Sequence, residues 1–188
     1  MDYVIPAPEQ VSVAIVGESK RFPVRRIFCV GRNYVAHIRE MGGDERDPPF
    51  YFCKPADAIV PTDGTIDYPP QTNNFHFEME LVAAIGTGGA NISEADALDH
   101  VYGYATGLDM TRRDVQIAHR EKGRPWDMGK GFDQSAPCGD IHPVSDVGHF
   151  PEGNIWLKVN GETKQDSDLK LMIWNLQETI ANLSGLVT

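Results

Sequence analysis

Hydrophobic and polar positions alternate most regularly over residues 75–81 and then run apolar to 85, and the segment 75–85 predicts the best strand in the chain. In an extended backbone successive side chains point to opposite faces. Glu78 and Glu80 therefore share a face with His76, while Phe75, Phe77, Met79 and Leu81 take the other. Val11, Val13 and Ile15 alternate into an earlier strand, and residues 27–30 form a compact apolar run that ends at Gly31 and leads into Arg32-Asn33-Tyr34. His37 and Glu40 stand three apart, so on a helix they lie on one face within reach of each other. Gly42-Gly43 and the charged, proline-rich stretch to Pro49 read as a loop. Residues 50–53 and 58–60 predict short strands interrupted by Lys54-Pro55.

Further along, the pattern predicts a helix over 93–100 and a strand over 101–109 containing two glycines. Thr111-Arg112-Arg113-Asp114 has the form of a capping box, which predicts a helix from 112 to 121 stopping at Gly123. Asp109 then falls at a strand-to-helix junction, where a side chain is held firmly yet stays accessible. Asn160-Gly161 predicts a hairpin between strands at 154–159 and 162–165, and residues 172–183 predict a helix ending at Gly185. The fold class is α+β, with many short strands. The alternation is too irregular for the strand-helix-strand units of a doubly wound parallel sheet. No dinucleotide-binding, Walker-type or nucleophile-elbow glycine motif is present.

At 188 residues the chain can bury the core of one domain, and 41% hydrophobic with 23% charged residues excludes a disordered composition. No apolar run approaches the roughly 18 residues of a membrane span, and the N-terminus lacks a signal-peptide pattern. A cytoplasmic location is expected. Cys29, Cys53 and Cys138 are odd in number and widely spaced, so neither a disulfide framework nor a thiolate metal site is indicated. A net charge of -10 disfavours nucleic acid as a partner. Arg32, Arg112, Arg113 and Lys130 nevertheless cluster near the motif segments, where they could attract a small anionic metabolite. The alternative for them is ordinary surface pairing with Asp and Glu, worth little each.

Two carboxylates on one half-buried strand face repel each other unless a cation lies between them. Oxygen donors of this kind suit a hard ion such as Mg2+, Mn2+ or Ca2+ better than Zn2+. The competing reading of Glu78 and Glu80 is the solvated face of an amphipathic strand.

Taken together, residues 28–34 with His37 and Glu40, Phe77-Glu78-Met79-Glu80-Leu81, the run from Gly107 to Gln116, and Gly129-Lys130-Gly131-Phe132-Asp133 resemble the fumarylacetoacetate hydrolase family in order and spacing. The resemblance extends from about Ile27 to the end and is nearest the acylpyruvate and fumarylpyruvate hydrolases. It implies a mixed β-roll, a homodimer, and one Mg2+ or Mn2+ held by Glu78, Glu80 and Asp109. His37 and Glu40 match the family's catalytic His and Glu, and Lys130 its lysine. Gln116, Arg32 and Arg113 match positions at the substrate cleft, and His76 suits a supporting role better than ligation.

The resemblance implies hydrolysis of the carbon–carbon bond of a 3-acylpyruvate, as in aromatic-compound catabolism. Oxaloacetate decarboxylation, isomerisation or hydration of an oxo-diacid, and a non-catalytic metal-binding subunit are the alternatives. Residues 1–22 are read as an N-terminal arm and 23–188 as the catalytic domain. The family's further closing strands and Gly-Thr-Pro turn do not occur before Thr188, so that domain is read as lacking its C-terminal closing segment.

Overall fold

The computed structural model describes residues 2–34 and 47–188. His37 and Glu40 lie outside the described residues. At the centre is an antiparallel hairpin of strands Met79–Ile85 and Val101–Leu108, extended by the short strand His142–Pro143. Its register pairs Met79 with Leu108 and Glu80 with Gly107. Both faces are covered. On one, Val82, Ala84 and Ala105 meet Val13 and Ile141; on the other, Leu81, Ala83, Val101 and Tyr104 meet Ala97 and Ile180. A strand buried on both sides has no solvated face to offer its carboxylates. Glu80, two and four residues before Val82 and Ala84, therefore stands on an otherwise apolar face.

Around this hairpin lie two-stranded sheets: Ser12–Ala14 with Arg21–Pro23, Ile27–Gly31 with Phe50–Lys54, and Asn154–Val159 with Glu162–Asp168. Ile59–Val60 and Ala136–Pro137 form a parallel pair. The Asn160-Gly161 turn has both residues at positive φ, 52° and 82°, the geometry that matches the twist of a two-residue hairpin. Among the described residues the helices are few: Arg113–Glu121, Asp127–Lys130, Val144–Val147 and Leu176–Ser184. None is long and apolar enough to cross a membrane. The fold is mixed α and β.

Four elements differ from the sequence reading. The strand expected over 75–85 is broken at Phe77 and Glu78. Phe75–His76 pairs with Thr111–Arg112, and the second part joins the central hairpin. The break lets Asp109 N donate to Glu78 O at 2.9 Å, which ties the two segments where the sheet changes partner. The helix expected over 93–100 shrinks to one 3-10 turn, Ala97–His100. Ser93 Oγ accepts from Asp96 N at 3.2 Å and donates to the Asp96 carboxylate at 2.6 Å, and the backbone closes i to i+3 turns such as Asp99 N to Asp96 O at 3.1 Å rather than an α-helical ladder.

The capping box at Thr111–Asp114 is not formed either. Thr111 turns inward, and Asp114 accepts from Thr72 Oγ1 at 2.5 Å and Asn73 N at 2.9 Å. The last helix starts four residues later than expected, at Leu176, because Asn175 and Glu178 make the capping box there.

Candidate active site

The strand break and the junction after Leu108 bring two carboxylates together. Lys130 Nζ lies between them, donating to Glu78 Oε2 at 2.8 Å, Asp109 Oδ2 at 2.6 Å and Thr111 Oγ1 at 2.8 Å. All three ammonium protons are thereby engaged. Lys130 reaches this point because the helix Asp127–Lys130 lies hard against Arg113–Glu121. A Cβ on Gly129 would meet Gln116 N at 2.9 Å, so only glycine permits that approach.

A second buried lysine, missed by the sequence reading, stands behind the first. Lys54 Nζ lies 2.8 Å from Asp109 Oδ1, donates to Met110 O at 3.1 Å, and also donates to the carbonyl of Lys130. The Lys54–Asp109 contact is an ion pair without hydrogen-bond alignment, which leaves Asp109 Oδ1 buried with no hydrogen bond. The available signal was a lysine closing the apolar run Phe50-Tyr51-Phe52-Cys53, a position whose charge has to be answered inside the fold. Thr111 was hidden by its resemblance to a cap.

Electrostatics separate the three carboxylates. Burial pushes the Glu78 carboxyl up, but the Lys130 ammonium and the Arg113 guanidinium outweigh it and hold the group below its ordinary range. Burial raises Asp109, and its two lysines offset only part of that. Glu80 is pushed up to about 8, first by burial and then by the charges of Asp109 and Glu78. Among the described residues it has no ion-pair partner.

In donor chemistry, though not in spacing, Glu78, Glu80 and Asp109 suit a hard divalent ion. The set offers three oxygen-donor side chains, one of them uncompensated, and a buried carboxylate oxygen free of hydrogen bonds. Among the described residues no three His, Cys, Asp or Glu side chains stand at ligating spacing, and the Lys130 ammonium is what bridges Glu78 and Asp109.

Beside the cluster opens a cleft of about 300 Å³, lined by Arg32, Arg113, Arg120, His76, Gln116 and Trp126 among others. Arg113 donates to Gln116 Oε1 at 2.7 Å and also to Glu78, and so links the cleft to the carboxylates. Arg32 has a left-handed backbone, φ 58°, and its guanidinium lies over the rings of Phe50 and Trp126 at 5.6 and 5.7 Å. His76 Nε2 is 2.7 Å from Asn74 Oδ1. Burial, and then the neighbouring Arg113, lower its pKa. Arg112 turns away from the cleft and stacks on Phe132 at 4.3 Å.

This combination of a short-stranded mixed fold and a lysine-bridged carboxylate cluster beside an arginine-lined cleft accompanies a family match. The fumarylacetoacetate (FAA) hydrolase C-terminal model matches residues 26–188, and the chain belongs to the fumarylacetoacetate hydrolase family. Among its relatives is a fumarylpyruvate hydrolase of Ralstonia sp, 50% identical over 135 residues, 72% of this chain and 70% of that protein. The mitochondrial oxaloacetate tautomerase of Bos taurus is 39% identical over 164 residues, 87% of this chain and 74% of that protein. The crystal structure of fumarylpyruvate hydrolase from Pseudomonas aeruginosa, in complex with Mn2+ and pyruvate, superposes with a TM-score of 0.94 at 53% identity. The match covers 99% of this chain and 82% of that one.

Proposed function

We propose that this chain is a divalent-metal-dependent hydrolase that cleaves the carbon–carbon bond of a 3-acylpyruvate such as fumarylpyruvate, releasing pyruvate and a carboxylic acid. The observation that carries the reading is the junction of Glu78, Asp109 and Lys130 beside a cleft with three arginines. The two fumarylpyruvate hydrolases at 50% and 53% identity support it. Membership of the family supports a β-roll arrangement of the sheets and a homodimer, which sedimentation at micromolar concentration tests.

Glu78, Glu80 and Asp109 would hold a Mg2+ or Mn2+ ion, which favours the enolate of a 1,3-dicarbonyl and polarises the carbonyl under attack. Arg113 and Gln116, hydrogen-bonded to each other, orient the substrate from the cleft side. His37 and Glu40, which match the family's catalytic pair, would take a proton from the attacking water. Lys130 keeps a positive charge where the oxyanion develops, a contribution of about 3 kcal/mol for a single donor. To donate to that oxyanion it must exchange one of its three present acceptors.

A second reading, oxaloacetate tautomerisation or decarboxylation, is favoured by the Bos taurus relative, whose similarity spans 87% of this chain. Neither reaction needs an attacking water. A panel of acylpyruvates and oxaloacetate, run with Mg2+ and Mn2+ on the unmodified protein and on His37→Ala, separates the readings. Hydrolysis that disappears in the variant supports the proposal; a main activity that survives intact overturns it. Absence of any turnover would leave a non-catalytic metal-binding subunit.

A further inference from the structure

The break at Phe77 and Glu78 leaves Glu78 outside both strand ladders, so strand parity does not set its direction. Met79–Ile85, which follows, is the edge strand of its sheet. One peptide group holds the junction. Glu78 O accepts from Asp109 N at 2.9 Å, and on the opposite side Met79 N donates to Gln165 Oε1 at 2.8 Å. These are the oxygen and the N–H of the same planar unit, and with both bonded the torsions flanking it have little freedom. Those torsions set how the Glu78 side chain stands relative to Glu80. Asp109 is itself a member of the carboxylate cluster, whereas Gln165 reaches the junction from 86 residues further along the chain.

Gln165 arrives there through a β-bulge. In the hairpin of Asn154–Val159 with Glu162–Asp168, Val159 pairs with Glu162 and Lys158 with Thr163. Continuing that register would put Gln165 opposite Trp156, on the exposed face. Lys164 is instead left without a partner, and Gln165 stands opposite Leu157 on the half-buried face. One extra residue in a strand turns every later side chain over. Ser167 accordingly lies half-buried with Gln165, while Asp166 between them is exposed. The partner strand Asn154–Val159 packs against Met79–Ile85, so the inward amide meets the start of the strand that carries Glu80.

We propose that Gln165 is a positioning residue for the carboxylate pair: by fixing the Glu78–Met79 peptide, its amide oxygen holds Glu78 and Glu80 in the mutual orientation that a divalent ion requires. It acts through the backbone and not on the substrate. This rests on the reading of Glu78, Glu80 and Asp109 as the residues that hold the metal.

The test is a calorimetric titration with Mn2+ of the unmodified protein, Gln165→Met, Gln165→Glu and Gln165→Asp. Each is also unfolded in urea without metal and assayed on fumarylpyruvate. Gln165→Met removes the acceptor. Gln165→Glu keeps both reach and oxygen, and Gln165→Asp carries the same charge on a side chain one methylene too short, so the last two separate reach from charge. Gln165→Met and Gln165→Asp should bind Mn2+ at least about tenfold more weakly, the usual scale for losing a group behind a metal ligand, and Gln165→Glu should regain most of the affinity. If Gln165→Met does not fold, the difference between Gln165→Glu and Gln165→Asp decides. Equal Mn2+ affinity in all the folded proteins, with only urea stability changed, makes Gln165 a purely structural residue and overturns the proposal while the metal reading stands. No Mn2+ binding by the unmodified protein overturns both. If fumarylpyruvate is not hydrolysed but Mn2+ affinity follows residue 165 as expected, the hydrolase reading fails and the positioning role stands.

Discussion

Lys54 Nζ lies 2.8 Å from Asp109 Oδ1, with only 2% and 7% of the two side chains exposed. Removing one partner of such a pair leaves a buried charge unanswered. Lys54→Met should destabilise the protein by about 3 kcal/mol, the lower end for a broken buried pair because Lys130 remains on Asp109. Urea unfolding measures it. A loss below the uncertainty of that measurement would mean that Lys54 contributes no net stability.

Gly129 lets two helices meet closely enough to deliver Lys130 to the carboxylates. Gly129→Ala must shift residues 127–130 away from Gln116, and a misplacement near 1 Å can cost on the order of a hundredfold in rate. The variant should lose at least tenfold in kcat, on the scale of that cost, while its circular dichroism stays native. Unchanged kcat would show that Lys130 is not held to its position by this contact.

Glu80 is the carboxylate that lacks a cationic partner among the described residues. Glu80→Gln should weaken Mn2+ binding by at least about tenfold, since one of three anionic donors is lost. At a pH above about 8, where the Glu80 carboxyl is ionised, the same change should raise the melting temperature of the metal-free protein, because it removes a buried charge repelled by Asp109 and Glu78. Opposite signs in the two measurements distinguish a metal ligand from an ordinary structural acid.

Asp114 titrates in the other direction. Its hydrogen bonds from Thr72 Oγ1 and Asn73 N favour the carboxylate and depress its pKa below the usual 3.8. The unfolded chain therefore binds this proton more readily than the folded one, and the stabilisation is full above the unfolded value. It is lost as pH falls through the folded value. Asp114→Asn should remove that part of the acid-side loss, flattening the stability profile below about pH 4, the usual range for an unperturbed aspartate. A profile identical to that of the unmodified protein would contradict it.

Asp109 was readable because the glycine-bearing strand Val101–Leu108 ends just before it, whereas the strand parity that set Glu78 beside Glu80 does not carry over, since Glu78 lies in the break and the strand begins at Met79. The hairpin at Asn160-Gly161 was readable for a related reason, since its turn chemistry is local. The break at Phe77 and Glu78 was not, because it comes from a partner switch between Thr111–Arg112 and the central hairpin, which no local pattern encodes. Thr111 and Asp114 fit the capping rule yet accept tertiary bonds from Lys130 and Thr72 instead. Lys54 is the clearest omission: its role depends on Asp109 and Lys130, more than fifty residues away in sequence.

The most direct measurement is a product assay on fumarylpyruvate with and without divalent metal. With Mn2+ or Mg2+ the enol absorbance should decay and pyruvate and fumarate should appear in equal amounts, and excess chelator should stop both. Loss of the substrate without stoichiometric pyruvate, or turnover that chelator does not affect, would contradict a metal-dependent cleavage by the Glu78, Glu80 and Asp109 site.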